Sequence, residues 1–86
     1  MNYRIELSRK AQKFLQNMRD SRQRGRLEEA IESLADQPRP QGVKQLTASD
    51  GIHRVRVGDF RILYAIQDDR LLVLVLEIGD RKDIYR

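Results

Sequence analysis

Six consecutive apolar residues, Leu71-Leu72-Val73-Leu74-Val75-Leu76, place the strongest constraint on the fold of this 86-residue chain. Such a run is typical of a β-strand with both faces covered, and it is far too short to span a bilayer. A wholly apolar strand is a poor edge strand, because its unpaired backbone groups would invite aggregation. We therefore expect a strand over residues 70–78 in the interior of a sheet.

Two alternating segments before this run predict its partner strands. Residues 52–57 and 60–67 flank Gly58-Asp59, and a Gly-X pair between such segments indicates a two-residue hairpin. A second tight turn at Asp68-Asp69 leads into the apolar strand. These three strands are predicted to form an antiparallel meander.

The N-terminal residues 3–7 also alternate and predict a strand on the far side of the apolar strand, running parallel to it. A parallel pairing requires a crossover connection, which the helices that follow would supply. Residues 43–46 are a candidate for a short additional edge strand.

Two amphipathic helices are predicted between the first strand and Pro38. Ser8 is a candidate N-cap for the first helix, and Arg19–Arg26 is predicted as a turn leading to the second. Pro38 and Pro40 end the second helix. The apolar stripes of the helices comprise Ala11, Phe14, Leu15 and Met18, then Leu27, Ala30, Ile31 and Leu34. The predicted fold is α+β, with two N-terminal helices on one face of a twisted, mainly antiparallel four-stranded sheet in one domain, residues 1–86.

Composition narrows the class of partner. The chain has a formal net charge of +4 and contains no cysteine, so it offers neither a disulfide framework nor thiolate chemistry. No group of residues has metal-ligand spacing, and the N-terminus lacks the apolar core of a signal peptide. We expect a cytoplasmic protein outside the membrane, with no metal and no cofactor. Its basic charge favours a polyanionic partner such as nucleic acid.

The hairpin arranges three arginines on one face. In the predicted register Arg56 lies opposite Arg61, and Arg54 shares their side of the sheet. Like charges directly opposite are destabilising, so the arrangement favours a bound anion such as phosphate. The alternative interpretation is a solvated basic face.

Two further residues are candidates for acid–base chemistry. Gly79 is predicted to end the last strand, which would let the tail fold back and bring Tyr85 near the arginines, where its phenolate would be stabilised as a general base. The alternative is that the ring of Tyr85 packs to anchor the terminus. His53 is the single histidine, and strand alternation places it on the face opposite Arg54 and Arg56, which favours a structural role.

Four segments, in this order and spacing, carry a family resemblance: Ser8–Ala11, Pro38–Leu46, His53–Tyr64 and Gly79–Arg86. Together they resemble the RelE/ParE toxin superfamily, and the RelE branch in particular, over nearly the whole chain. The resemblance implies the RelE-like microbial ribonuclease-type fold and a toxin of a type II toxin–antitoxin system. Such toxins are metal-independent endoribonucleases that cut mRNA in the ribosomal A site and so inhibit translation. It also implies a cognate antitoxin protein as partner.

The resemblance assigns roles by position. Arg54 and Arg56 would bind the backbone of the message and help to activate the attacking 2′-hydroxyl, and Arg61 would stabilise the pentacoordinate phosphate. Arg81 would contact the scissile phosphate and assist the leaving oxygen. Tyr85 would stack on a base or act as the general base.

Two alternatives remain open at the level of sequence. A ParE-like toxin shares the fold but inhibits DNA gyrase. A catalytically silent, antitoxin-binding relative is also compatible, because Asp80 stands where many close relatives carry histidine. An apolar strip on the arginine side is expected to be covered by a partner or by other segments of the chain; it consists of Leu63, Ala65, Leu72 and Leu74.

Overall fold

The sheet of this protein has the apolar run at its interior, as predicted. A computed structural model describes residues 2–39, 44–45 and 51–80. Within them five strands form one sheet in the order β1-β5-β4-β3-β2. The strands and helices are β1 (Arg4–Leu7), α1 (Arg9–Gln16), α2 (Ser21–Asp36), β2 (Lys44–Gln45), β3 (Ile52–Val57), β4 (Phe60–Gln67) and β5 (Leu72–Asp80).

The two neighbours of β5 confirm the predicted topology. β1 pairs with β5 in parallel, from Arg4 opposite Leu72 to Leu7 opposite Val75, and β4 pairs with it antiparallel on the other side. The helices α1 and α2 form the crossover that a parallel pairing requires. Four long strands therefore match the predicted sheet, and the two-residue β2 adds an edge next to β3. Residues 43 and 46 of the candidate edge strand lie outside the described residues.

The first helix begins where it was predicted to begin. The Ser8 hydroxyl accepts a hydrogen bond from the Ala11 amide (3.1 Å), which satisfies one of the amides at the helix start. This N-cap ends β1 and directs the chain onto the sheet.

The second helix begins earlier than predicted, which corrects the turn assigned to residues 19–26. Asp20 is the N-cap and accepts from the amides of Arg22 (3.0 Å) and Gln23 (3.2 Å), so Ser21 onward is helical. The sequence did not reveal this helix start, because the first turn is polar and contains no buried apolar residue that would show the helical spacing. The helix ends at Asp36, ahead of Pro38, as predicted.

Both helices pack on one face of the sheet and form the core with it. Ala11 from α1 and three residues of α2 are buried against the sheet. The core also includes the phenol ring of Tyr64, which is fully buried. Its buried members are Ala11, Leu27, Ile31, Leu34, Ile62, Tyr64, Val73, Val75 and Ile78.

The last strand contains a β-bulge that the alternation did not predict. Leu63 and Tyr64 are consecutive in β4, yet their partners in β5 are Glu77 and Val75, so Leu76 is the extra residue. The strand also continues beyond its predicted end at residue 78. Gly79 pairs with Arg61 and Asp80 pairs with Phe60, so Gly79 does not end the strand.

The connection after α2 is tied to the turn between β4 and β5. Arg39 makes a two-pronged contact with the Asp68 carboxylate (3.2 and 2.9 Å), and the Tyr3 hydroxyl donates to the same carboxylate (2.6 Å). Hydrogen bonds from Arg39, then from Tyr3, lower the pKa of Asp68 to about 2. The Tyr64 hydroxyl donates to the Pro38 carbonyl (2.8 Å), which fixes the same connection from the core.

The helices α1 and α2 are 8 and 16 residues long. None of the helices in the described ranges is both long and apolar enough to cross a membrane.

Candidate functional site

The β3–β4 hairpin has the predicted register and places the three arginines together. Val57 lies opposite Phe60, Arg56 opposite Arg61, and Arg54 opposite Leu63. Since alternate residues of a strand share a face, the arginines lie on the side away from the helices. Gly58 adopts φ +61° in the turn, a conformation that L side chains rarely adopt.

The three arginines differ in exposure. Arg61 is buried, with 9% relative exposure, whereas Arg56 is exposed and Arg54 is half-buried. The Arg56 Nε donates to the Gly58 carbonyl (3.2 Å), which holds this guanidinium beside the hairpin turn. Arg56 is therefore accessible to solvent, whereas Arg61 is set deeper in the fold at the opposite position.

The neighbouring strand leaves the Arg61 side of this face without a bulky side chain. Arg56, Arg61 and Gly79 stand in register across β3, β4 and β5. The next row on the same face contains Arg54, Leu63 and Glu77. The Glu77 carboxylate is 3.4 Å from the Lys10 ammonium, so this acidic group has a cationic partner on α1.

Arg26 on α2 is a basic residue at the hairpin turn that sequence reasoning did not assign to the site. A Cβ at Gly58 would lie 3.7 Å from the Arg26 Nη2, so this guanidinium covers the turn. The sequence analysis assigned Arg19–Arg26 only as a turn leading to the second helix. No local pattern relates α2 to a turn more than 30 residues away in the chain; that contact depends on packing.

His53 lies on the helix side, as strand alternation predicted. Its ring stacks on Tyr64 with centroids 5.6 Å apart, and its Nδ1 is 3.2 Å from the Gly51 carbonyl. The residue is buried, so it packs beneath the sheet rather than beside the arginines.

Of the C-terminal segment Gly79–Arg86, the structure describes Gly79 and Asp80. Asp80 is exposed and pairs with Phe60, so alternation places it on the side opposite Arg61 and Gly79. Arg81 and Tyr85, the other predicted site residues, lie outside the described residues.

The predicted apolar strip lies on the arginine side, next to the site. Leu63, Ala65 and Leu74 are half-buried, and Leu72 is 4% exposed. Ala65 pairs with Leu74, so the strip crosses from β4 to β5.

As for metals, no group of three or more His, Cys, Asp or Glu side chains suited to holding an ion occurs within residues 2–39, 44–45 and 51–80.

Known proteins share this architecture. Over its full length the chain is 29% identical to a toxin described as RelE1 from Methanocaldococcus jannaschii, covering 98% of that relative. A chain of the archaeal RelE–RelB complex from Pyrococcus horikoshii OT3 superposes with a TM-score of 0.82 at 24% identity, over 96% of this chain and 99% of that one. A chain of the RelBE2 toxin–antitoxin complex from Mycobacterium tuberculosis gives 0.80 at 24% identity, over 94% and 100%.

The family assignment rests on a match that covers most of the chain. Residues 5–85 match the family described as the ParE toxin of type II toxin–antitoxin systems. The resemblance to the RelE/ParE superfamily is thereby confirmed, and the α+β fold is that of the RelE toxins. The protein belongs to the ParE toxin family and is a toxin of a type II toxin–antitoxin system.

Proposed function

We propose that this toxin is a RelE-type endoribonuclease that cleaves mRNA on the ribosome. The observation that carries the proposal is the pairing of Arg56 with Arg61 on the side of the sheet away from the helices, with Arg54 two residues along the same strand. Guanidinium groups remain charged at any relevant pH and present forked donors that match phosphate oxygens. A face built from three of them suits the charge that develops during phosphoryl transfer.

The chemistry requires no group beyond the RNA and these side chains for charge stabilisation. The 2′-oxygen of the message attacks the adjacent phosphorus, the bond from phosphorus to the 5′-oxygen breaks, and a 2′,3′-cyclic phosphate and a 5′-hydroxyl result. The proton leaves the 2′-hydroxyl and one is delivered to the 5′-oxygen. Arg54 and Arg56 would hold the backbone. Arg61, the most deeply set of the three, would stabilise the pentacoordinate phosphate.

Proton transfer is assigned to residues near the C-terminus and to the ribosome. An arginine is a poor acid because its pKa exceeds ~12. We therefore propose that Arg81 stabilises charge at the scissile phosphate, and that Tyr85 or a group of the ribosomal RNA moves the protons. Among the described residues, Glu77 is the carboxylate in register with Arg54 and Leu63, and it is paired with Lys10, which supports dependence on the ribosome for proton transfer.

The partners follow from the same assignment. A cognate antitoxin is supported by the similarity to toxins solved within RelE–RelB complexes. We propose that the chain acts as one toxin domain over residues 1–86, with mRNA in the ribosomal A site as its substrate. The half-buried strip of Leu63, Ala65 and Leu74 beside the arginines is a candidate surface for the antitoxin.

A second function has one observation in its favour. The matching family is named for ParE, and ParE-like toxins inhibit DNA gyrase. A supercoiling assay with purified gyrase separates the two. Inhibition of gyrase without cleavage of message would favour the ParE activity, whereas cleavage without inhibition would favour the RelE activity.

The proposal is tested by expressing the toxin without an antitoxin and mapping the 5′ ends of ribosome-bound mRNA. We expect growth arrest and new 5′ ends within A-site codons. Arg56→Ala should reduce cleavage at limiting toxin, because a charge-assisted contact to the backbone of the message is lost. Arg70→Ala removes the same charge from an exposed turn at the far end of β4 and should cleave like the wild type. Equal cleavage by both variants would contradict the assigned site.

A further inference from the structure

Ser8 joins three elements of the fold by hydrogen bonds. Its backbone amide donates to the Val75 carbonyl (2.8 Å), and its hydroxyl donates to the Leu76 carbonyl (2.6 Å). The same hydroxyl accepts from the Ala11 amide and so caps α1. One half-buried serine therefore ends the β1–β5 ladder, starts the helix and holds the bulged residue of β5.

The bulge that Ser8 holds decides which side chain lies beside Arg61. In a regular ladder continuing from the Tyr64–Val75 pair, Ile78 would fall opposite Arg61 and Glu77 opposite Ile62. With Leu76 as an extra residue, Gly79 falls opposite Arg61 instead, and Ile78 falls opposite Ile62.

The bulged register is favourable on both faces of the sheet, for different reasons. Ile78 becomes a core residue at 3% exposure, and no carboxylate is forced against Ile62, which is fully buried. On the other face, the position next to Arg61 receives glycine in place of a branched chain. Opposite residues of an antiparallel pair have Cβ atoms about 4.5–5.5 Å apart, so an isoleucine there would crowd the guanidinium.

We propose that Ser8 is a positioning residue of the arginine site. By holding the bulge at Leu76 it helps to fix the register that sets Gly79 opposite Arg61, so that β5 places no side chain between this guanidinium and an RNA phosphate held by the arginines. This inference rests on the proposed ribonuclease function, and Ser8 itself touches no substrate in it.

The test uses two matched cap variants of the full-length toxin. Ser8→Ala removes the bond to Leu76 and the cap of α1. Asp20→Ala removes a cap of the same kind from α2 but makes no contact with the bulge. Ser8→Thr retains a hydroxyl that can make both bonds and serves as the rescue. Thermal melting of each variant corrects for differences in folded fraction.

Deletion of Leu76 supplies a test that does not depend on how well Ser8→Ala folds. Without Leu76 the ladder becomes regular while Glu77, Ile78 and Gly79 keep their present partners. In this background the bulge no longer needs to be held, so Ser8→Ala should reduce activity no more than Asp20→Ala does.

Two readouts are measured on each variant. The first is the single-turnover cleavage rate on ribosomes at saturating toxin, so that differences in binding do not enter. The second is the cross-strand contact between the backbone protons of Gly79 and Arg61 by NMR, which needs no activity. Absence of cleavage by the wild type would refute the ribonuclease proposal, while the NMR contact would still report on the register.

The expected result is a loss of cleavage by Ser8→Ala of about 10-fold or more relative to Asp20→Ala, since small misplacements of reacting groups are costly. The Gly79–Arg61 contact should weaken in parallel, Ser8→Thr should recover both, and the Leu76 deletion should abolish the difference. Equal rates for Ser8→Ala and Asp20→Ala, or an unchanged Gly79–Arg61 contact, would overturn the proposal.

Discussion

Arg56 and Arg61 occupy directly opposite positions in the β3–β4 ladder, on the side of the sheet that the helices leave uncovered. Two guanidiniums at opposite positions repel each other, and a sheet designed for stability alone would place opposite charges or β-branched residues there. The same pair offers a phosphate two sets of forked donors. Stability and function therefore make opposite demands on these two positions.

Replacing one member of this pair should separate the two demands. We expect Arg56→Thr to raise the free energy of unfolding by about 0.2–1 kcal/mol at low salt, because a like-charge opposition is removed. The gain should shrink as salt screens the repulsion. Urea unfolding of both proteins at low and high salt measures it. A loss of stability at low salt would show that the opposition is already neutralised within the folded chain.

The Asp68 carboxylate should make the toxin sensitive to acid. Its pKa is lowered to about 2 by hydrogen bonds from Arg39 and Tyr3, so the charged form is favoured by folding. Such a group contributes stability above its unfolded pKa near 4, and this contribution is lost as the pH falls toward 2. We expect Asp68→Asn to weaken the dependence of the melting temperature on pH between 4 and 2.

A neighbouring substitution controls for charge in that experiment. Asp69→Asn removes one carboxylate from the adjacent position of the same turn and should leave the acid dependence close to that of the wild type. Arg39→Ala should return the pKa of Asp68 toward its ordinary value, as followed by NMR titration of the carboxyl carbon. An unchanged titration in Arg39→Ala would contradict the arrangement of this cluster.

Tyr64 links the core to the connection that follows α2. Its hydroxyl donates to the Pro38 carbonyl, and burial raises the pKa of Tyr64 to about 12. Tyr64→Phe should lower the free energy of unfolding by about 1 kcal/mol at neutral pH through loss of this bond. In the wild type, the free energy of unfolding should decrease as the pH rises from 10 to 12. The reason is that Tyr64 ionises near pH 10 in the unfolded chain but only near pH 12 in the folded one. Tyr64→Phe should lose less stability across that range.

Two glycines should respond to alanine in opposite directions. Gly58 has φ +61°, and a Cβ there would make ordinary contacts with Arg26, so Gly58→Ala should cost about 1–2 kcal/mol from backbone strain. Gly25 lies within α2 and a Cβ there meets nothing within 4 Å, so Gly25→Ala should stabilise by about 0.5–1 kcal/mol. Chemical unfolding of both variants tests the signs; a stabilised Gly58→Ala would contradict the turn.

Much of the topology could be predicted because it follows from local patterns. The wholly apolar run fixed β5 as an interior strand, and Gly58-Asp59 fixed which residues of β3 and β4 face each other. The bulge at Leu76 was missed because every residue from Leu71 to Leu76 is apolar and shows no parity. The bulge is visible only in the spacing of the core residues of β5: Val73 and Val75 are two apart, whereas the next core residue, Ile78, follows after three.

Other features depend on contacts between distant parts of the chain. The start of α2 at Ser21 required recognition of Asp20 as a cap within a run of charges. The Arg39–Asp68 pair joins residues 29 positions apart, and no alternation or spacing predicts it. The arginine face could be predicted, but the depth of Arg61 within it could not, since burial depends on the whole fold.

The most direct test of the central claim is cleavage by purified toxin of mRNA held in a ribosome with a defined A-site codon. We predict a cut within that codon, a 2′,3′-cyclic phosphate and a 5′-hydroxyl at the new ends, and loss of cutting in Arg61→Ala with the fold confirmed by circular dichroism. An intact message, with the same preparation inhibiting DNA gyrase, would contradict the account.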